Sequence, residues 1–309
     1  MVFNEALAEY LTTGLEEALA SSEPHPFPEP LSADRYVAMS ALQKAIRRGN
    51  QPIGLSAALS LLRSSARGFW RRIGIIAFED IGVANIDLVG WVTVAMGDAR
   101  LRACLGGDWK VAAFLVEALC RSAKDRAVDD LLVMMIHDPA LAERKAELAD
   151  MDFEERLVEA LSCNHGIEAQ GIAAWFAMGS RKLSEGLATK IKGCPETYFD
   201  RLREAGYPGA AVEIGRMGWK RIGDGMPPVF PLLYRIARET EHVTRDDDLT
   251  SETLINGVPS CALDKHTRPG LAAYGRYLAR SPRMNRLVRQ HGGNRAEQFL
   301  IWKRSLLGL

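Results

Sequence analysis

Residues 34–82 read DRYVAMSALQKAIRRGNQPIGLSAALSLLRSSARGFWRRIGIIAFEDIG, and the spacing of their apolar side chains decides the fold class. Tyr36, Met39, Leu42 and Ile46 recur every three or four residues, and after a short break Leu55, Ala58, Leu59 and Leu62 do the same. That period places each set on one stripe of a helix, whereas a half-buried strand would alternate. Further stripes follow at Phe69/Ile73/Ile76/Ala77, Val89/Val92/Met96, Ala112/Leu115/Leu119 and Val128/Leu131/Leu132/Met135, with Gly or Asp-Pro punctuation between them. The pattern predicts an all-α fold, an irregular antiparallel helical array with additional C-terminal helices. Its spacing fits no repeat of fixed period.

Three regions are expected. Residues 1–31 form an N-terminal helix and a linker, 32–162 a helical domain, and 163–309 a second helical region with basic C-terminal helices. Met1 to Ala20 carries Glu5, Glu9, Glu16 and Glu17 and no basic residue, so it reads as neither a secretory signal nor an anchor. No apolar run approaches the ~20 residues of a membrane span, and no membrane partner is expected. Pro24, Pro26, Pro28 and Pro30 remove backbone donors and forbid helix, which makes this segment a linker or an extended arm.

Lys plus Arg and Asp plus Glu are 39 each. The whole chain therefore lacks the field of a protein that coats nucleic acid, and any such contact comes from a local patch. Two patches exist. Residues 129–159 hold ten acids against three bases, a balance of −7, and residues 265–309 hold ten bases and one acid, a balance of +9. The five cysteines are widely spaced without a C-x-x-C, which points to a reducing cytoplasm rather than a disulfide framework or zinc ribbon. His25, His137, His165, His242 and His291 stand alone, so no metal and no cofactor are expected.

Three features are candidates for chemistry or recognition. The first joins Arg71 and Arg72 to Glu79-Asp80-Ile81-Gly82, where a helix is expected to end with Gly82 as its C′ residue. Two carboxylates in a last helical turn face the negative end of the helix dipole and need a positive partner. Arg72 lies two turns before Glu79 on the same face, and Arg71 or a neighbouring helix N-terminus is the other source. A structural ion-pair network accounts for these residues; paired acids also ligate metals or relay protons, but no histidine sits beside them at ligand spacing.

The second feature is Asp264-Lys265-His266-Thr267-Arg268-Pro269-Gly270. Pro269 suits a first helical turn and Thr267 or Arg268 sits where a cap belongs. Ordinary capping explains the segment. A phosphate or other anion site at Lys265, His266, Thr267 and Arg268 explains it as well. An enzyme on a phosphorylated or nucleic-acid substrate would use His266 as acid or base, Arg268 as oxyanion clamp and Asp264 to orient the imidazole. The third feature is the stripe Arg276, Arg280, Arg283 and Arg286. It would contact nucleic acid, with Tyr274, Tyr277, Phe299 and Trp302 near to stack on bases, or pair with the acidic segment of the same or another subunit.

Ala41, Leu42, Lys44, Ile46 and Arg47, the pair Arg71-Arg72, and Ala77, Glu79, Asp80, Ile81 and Gly82 occur in an order and at separations that resemble the replication-associated recombination protein A family of clamp-loader-like AAA+ ATPases. The resemblance covers residues 32–135 and falls on the helical collar that follows the family's ATPase core. At Cys120 to Ala127 only Lys124 and Ala127 match the family's Ala-Pro-Lys-Ser-Asn-Ala-like turn. Ala84-Asn85-Ile86-Asp87 replaces its Ala-Asp-Pro, and an aromatic pair expected near Leu61 is missing. A P-loop needs G-x-x-x-x-G-K-[ST], and this chain has no Gly-Lys pair. With 33 residues before the collar-like segment, an ATPase core is not expected here. The resemblance implies a non-enzymatic scaffold that self-associates as a homo-oligomer and binds DNA or a replication or repair ATPase.

Overall fold

The computed structural model describes residues 2–162, 166–179, 192–223, 225–239, 253–255, 257–264 and 266–280. Among them the fold is all-α, with fifteen α-helices and a single antiparallel hairpin of two-residue strands, β1 (Leu254–Ile255) and β2 (Val258–Pro259). The chain forms two compact units, each discontinuous in sequence, whereas the regions read from composition are continuous. Residues 1–129 and 202–263 make unit 1, and residues 130–201 and 264–309 belong to unit 2.

Unit 1 contains α1 (Val2–Ala20), α2 (Arg35–Arg48), α3 (Gln51–Ser64), α4 (Ala66–Ile76), α5 (Ile86–Gly97), α6 (Ala99–Cys104), α7 (Asp108–Arg121) and the start of α8 (Ala127–His137). Its later stretch carries α13 (Gly209–Ile222) and α14 (Met226–Glu239). The boundaries of α2 and α3 are local chemistry. The Asp34 carboxylate accepts from the amides of Tyr36 and Val37 at 2.8 and 3.0 Å, a cap that contributes about 1 kcal/mol. Gly49 ends α2 in the left-handed conformation at φ 69°, where a Cβ would be strained. Asn50 then caps α3 and Pro52 fills the first turn, whose amide needs no partner.

The buried face of α2 is Val37, Ala38, Ala41, Leu42, Ala45 and Ile46. It departs from the expected stripe at its start: Tyr36 sits in the capped first turn, exposed, with the Arg35 guanidinium over its ring. This face packs on α3 and α7, and α4 and α5 close the core with Phe69, Ile73, Ile76, Val89 and Val92, all buried. Each such side chain contributes about 1.5–3 kcal/mol. The proline arm lies against its own unit. Trp109 Nε1 donates to the His25 carbonyl at 3.2 Å, Phe27 stacks on Trp109 and the Leu31 amide donates to the Ser56 carbonyl.

Unit 2 contains the rest of α8, then α9 (Ala142–Asp150), α10 (Phe153–Leu161), α11 (Ile167–Ala177), α12 (Pro195–Glu204), whose last turn lies in unit 1, and α15 (Arg268–Arg280). The amphipathic pair α9–α10 packs on α11 through Leu148, Leu157, Ala160, Ile172 and Ala173. A reciprocal cap starts α10: Asp152 accepts from the Glu155 amide while the Glu155 carboxylate accepts from the Asp152 amide. No helix among the described residues is long and apolar enough to cross a membrane.

Candidate functional site

The Glu79-Asp80 segment follows α4 as a π turn, Ala77–Ile81, rather than as the last turn of an α-helix. Single π turns insert one residue into a helix and re-aim its side chains. Here the result is that Asp80 is fully buried while Glu79 keeps an edge toward solvent. The turn ends at Gly82, φ 50° and ψ −131°, where a Cβ would lie 2.6 Å from the Asp125 carbonyl oxygen. Gly82 is thus required by backbone conformation and by the approach of another segment, and it lies outside the left-handed helical geometry expected of a C′ glycine. The Asp125 amide donates to the Asp80 carbonyl at 3.1 Å, tying that segment to the turn.

Two elements supply direct partners for the two carboxylates, and two more bond to those partners. From α2, Arg47 Nε donates to Asp80 Oδ1 at 2.6 Å and its Nη2 reaches Glu79 Oε1 at 3.4 Å, while Gln43 Nε2 donates to Asp80 Oδ2 at 3.1 Å. From α4, Arg72 donates to the Gln43 side-chain carbonyl. Arg126 follows α7; its Nη1 lies 4.0 Å from Asp80 Oδ1, and its Nη2 pairs with Asp129 of α8. Gln43 is the relay: its amide nitrogen serves the buried acid and its oxygen accepts from Arg72.

Electrostatics follow from this packing. Burial, then the neighbouring Asp80 and Asp129 carboxylates, push Glu79 up to about 7, against the pull of Arg72 and Arg47. Burial pulls the Arg126 guanidinium down, but Asp80, Asp129 and Glu79 together outweigh it and hold it above its ordinary value. Three acids and three guanidiniums therefore share one partly dry site. Among the described residues no group of His, Cys, Asp and Glu is arranged to hold a metal.

Of the partners expected from sequence, Arg72 donates to Gln43 and acts on Glu79 only as a nearby charge, and Arg71 does not join them. Adjacent residues on a helix point about 100° apart, and Arg71 instead donates to the Ile222 carbonyl at the end of α13, 2.9 Å away. The positive partner of Asp80 is Arg47, with Arg126 behind it. The roles of Gln43, Arg126 and Asp129 escaped the sequence reading. One signal was present, since Gln43 and the smaller Ser40 are the polar residues on the buried face of α2 and Arg47 follows Gln43 by four residues on the same side.

Asp264 and Thr267 cap the start of α15. Thr267 is buried, its hydroxyl donates to the Asp264 carbonyl at 2.8 Å and accepts from the Gly270 amide at 3.2 Å. The Asp264 carboxylate accepts from the His266 backbone amide at 2.9 Å, and α15 starts at Arg268. His266 and Arg268 are exposed, as are Arg276 and Arg280 on α15. Lys265, Arg283 and Arg286 lie outside the described residues, as does any geometry of an anion site that includes them.

Compared with protein-family models, curated proteins and solved structures, the chain finds no match.

Proposed function

We propose that this chain is a non-enzymatic helical scaffold, a relative of the clamp-loader-like collar, which self-associates and binds DNA or a replication or repair ATPase. The observation that carries the reading is the convergence of its resemblance-bearing segments. Arg47, Arg72 and Glu79-Asp80, distant in sequence, meet in one buried network whose hydrogen bonds run between helices. A network of that kind fixes how α2, α4, the π turn and α8 pack, which is the task of a scaffold rather than of a catalytic centre. The exposed arginines of α15 supply the local basic surface that a neutral chain needs in order to meet a polyanion.

Light scattering coupled to size exclusion, at low and high salt and with single-stranded or forked DNA, tests this reading. The expected result is an oligomer whose DNA complex forms at low salt, dissolves at high salt and weakens when Arg280 and Arg283 are replaced by glutamine. A monomer indifferent to DNA and to salt would overturn it.

A further inference from the structure

We propose that the acidic face of α9–α10 in one copy of this chain docks the arginine face of α15 in a second copy. The inference rests on the self-association reading above and gives it an interface.

Solvent meets the balance of −7 over residues 129–159 as acids alone, because none of the three bases there is exposed. Two of the three bases there are turned inward. Lys145 is buried, its ammonium donating to the Ile136 carbonyl in the last turn of α8 at 3.2 Å. Arg156 is buried, donating to the Leu148 and Ala149 carbonyls that close α9 at 2.9 and 2.7 Å. Both satisfy helix C-termini, where free carbonyls attract cations. The third base, Arg144, pairs with Glu147 and Glu159. The exposed charged side chains of α9–α10 are consequently Glu143, Glu147, Asp150, Asp152, Glu154 and Glu155, of which Glu147 faces Arg144 and Glu154 faces Arg201 of α12 at 3.4 Å, with Val158 among them at 66% exposure, one turn beyond Glu154.

Helix α15 presents the complement. Arg268, Ala272, Arg276 and Arg280 are exposed at four-residue spacing, a stripe about 18 Å long at 1.5 Å per residue, and Leu271 beside them is 54% exposed. Each face therefore combines one sign of charge with one exposed aliphatic residue. Both belong to unit 2 and both are open to solvent within it, so neither covers the other in the same copy. DNA would use only the arginines and would be repelled by the acids, whereas a second copy uses both faces at once. Pairs of this kind are individually weak and salt-screened; several in register set the partner and its orientation.

The test uses the full chain and sedimentation velocity at low and high salt. One variant carries Glu143→Arg and Asp150→Arg, which spare the reciprocal cap at Asp152 and Glu155 and the Glu154–Arg201 pair; the other carries Arg276→Glu and Arg280→Glu. Each alone is expected to self-associate on the order of a hundredfold more weakly, and their equimolar mixture, which restores opposite charges across the contact, is expected to recover the wild-type species. The milder Arg276→Gln/Arg280→Gln variant gives an intermediate loss and guards against misfolding, with helicity followed by circular dichroism. Wild-type assembly by both reversed variants would overturn this interface and leave self-association standing. So would a mixture that stays dissociated, or an arginine variant that loses forked DNA while its assembly is intact. A wild-type chain that is monomeric at low salt would remove the interface and the self-association reading together.

Discussion

Unit 1 and unit 2 spend similar side chains in opposite ways. Around the π turn, guanidiniums point at carboxylates and the pairs are buried, so the charges hold elements to one another. In α9–α10 the two buried bases, Lys145 and Arg156, point at backbone carbonyls and most of the acids are exposed, so the charges finish individual helices and advertise a surface. The difference lies in what each arginine faces. Arg47 meets a fully buried Asp80 at 2.6 Å, whereas Arg156 meets two carbonyls that close its preceding helix.

The strongest way to break that contrast is Asp80→Ala. It strands Arg47 and Gln43 without their shared acceptor, and removing one member of a buried ion pair costs about 3–5 kcal/mol. Local hydrogen exchange is the sharper readout: amides of α2 and α4 are expected to lose protection while those of α9–α10 keep theirs. Equal loss in both units would mean that the network does not act within unit 1.

Glu79 gives the next effect, and its sign is specific. Its folded value near 7 lies above its ordinary 4.5, so between those values the folded chain holds a proton that the unfolded chain has released. That contribution is fully present below about pH 4.5 and is lost as pH rises through 7, a change of at most about 3 kcal/mol. Glu79→Gln imitates the protonated side chain. The variant is expected to match the wild type near pH 4, to exceed it at pH 8, and to flatten the slope between them in urea unfolding. A variant less stable than the wild type at pH 8 would show that the charged carboxylate contributes more to the network than its burial costs.

The sequence exposed the helices and hid the network for physical reasons. An apolar period survives in the chain because each helix must bury one face, and capping leaves residues such as Asp34, Asn50 and Asp152 at fixed offsets. The cap at Thr267 was legible in the same way. By contrast, a π turn is a change of hydrogen-bond register that no composition records, so Glu79 and Asp80 read as the end of an ordinary helix. Spacing from Glu79 sets Arg72 apart from Arg71, but only the packing of α4 decides that Arg72 meets Gln43 and Arg71 the Ile222 carbonyl. The meeting of Arg47 with Asp80 across 33 residues belongs to the same class of fact.

A smaller loss is expected in unit 2. Arg156→Met keeps the aliphatic stem and removes two charge-assisted hydrogen bonds to carbonyls, each about 1.5–3 kcal/mol, but it also relieves the burial of a guanidinium, so the net loss is smaller than for Asp80→Ala, which leaves a buried charge behind. Exchange should rise at the end of α9 and leave α2 and α4 unchanged, the mirror of the first variant.

The gentlest probe changes no residue. Cys120 in unit 1 is buried on α7 with its sulfur 3.8 Å from the Ala45 carbonyl, and burial pushes its thiol up to about 12. Cys194 in unit 2 is exposed just before α12, and hydrogen bonds from the Thr197 hydroxyl and the Thr197 and Glu196 amides lower its thiol below the usual value of 9. Since the thiolate is the nucleophile, alkylation near neutral pH should reach Cys194 at least about a hundredfold faster than Cys120. The ratio also reports on the network. Cys120 contacts α2 two residues before Arg47, so it reacts only when that packing opens. Asp80→Ala is expected to raise the Cys120 rate and leave Cys194 unchanged, because only the first thiol sits behind the charges that the substitution disturbs.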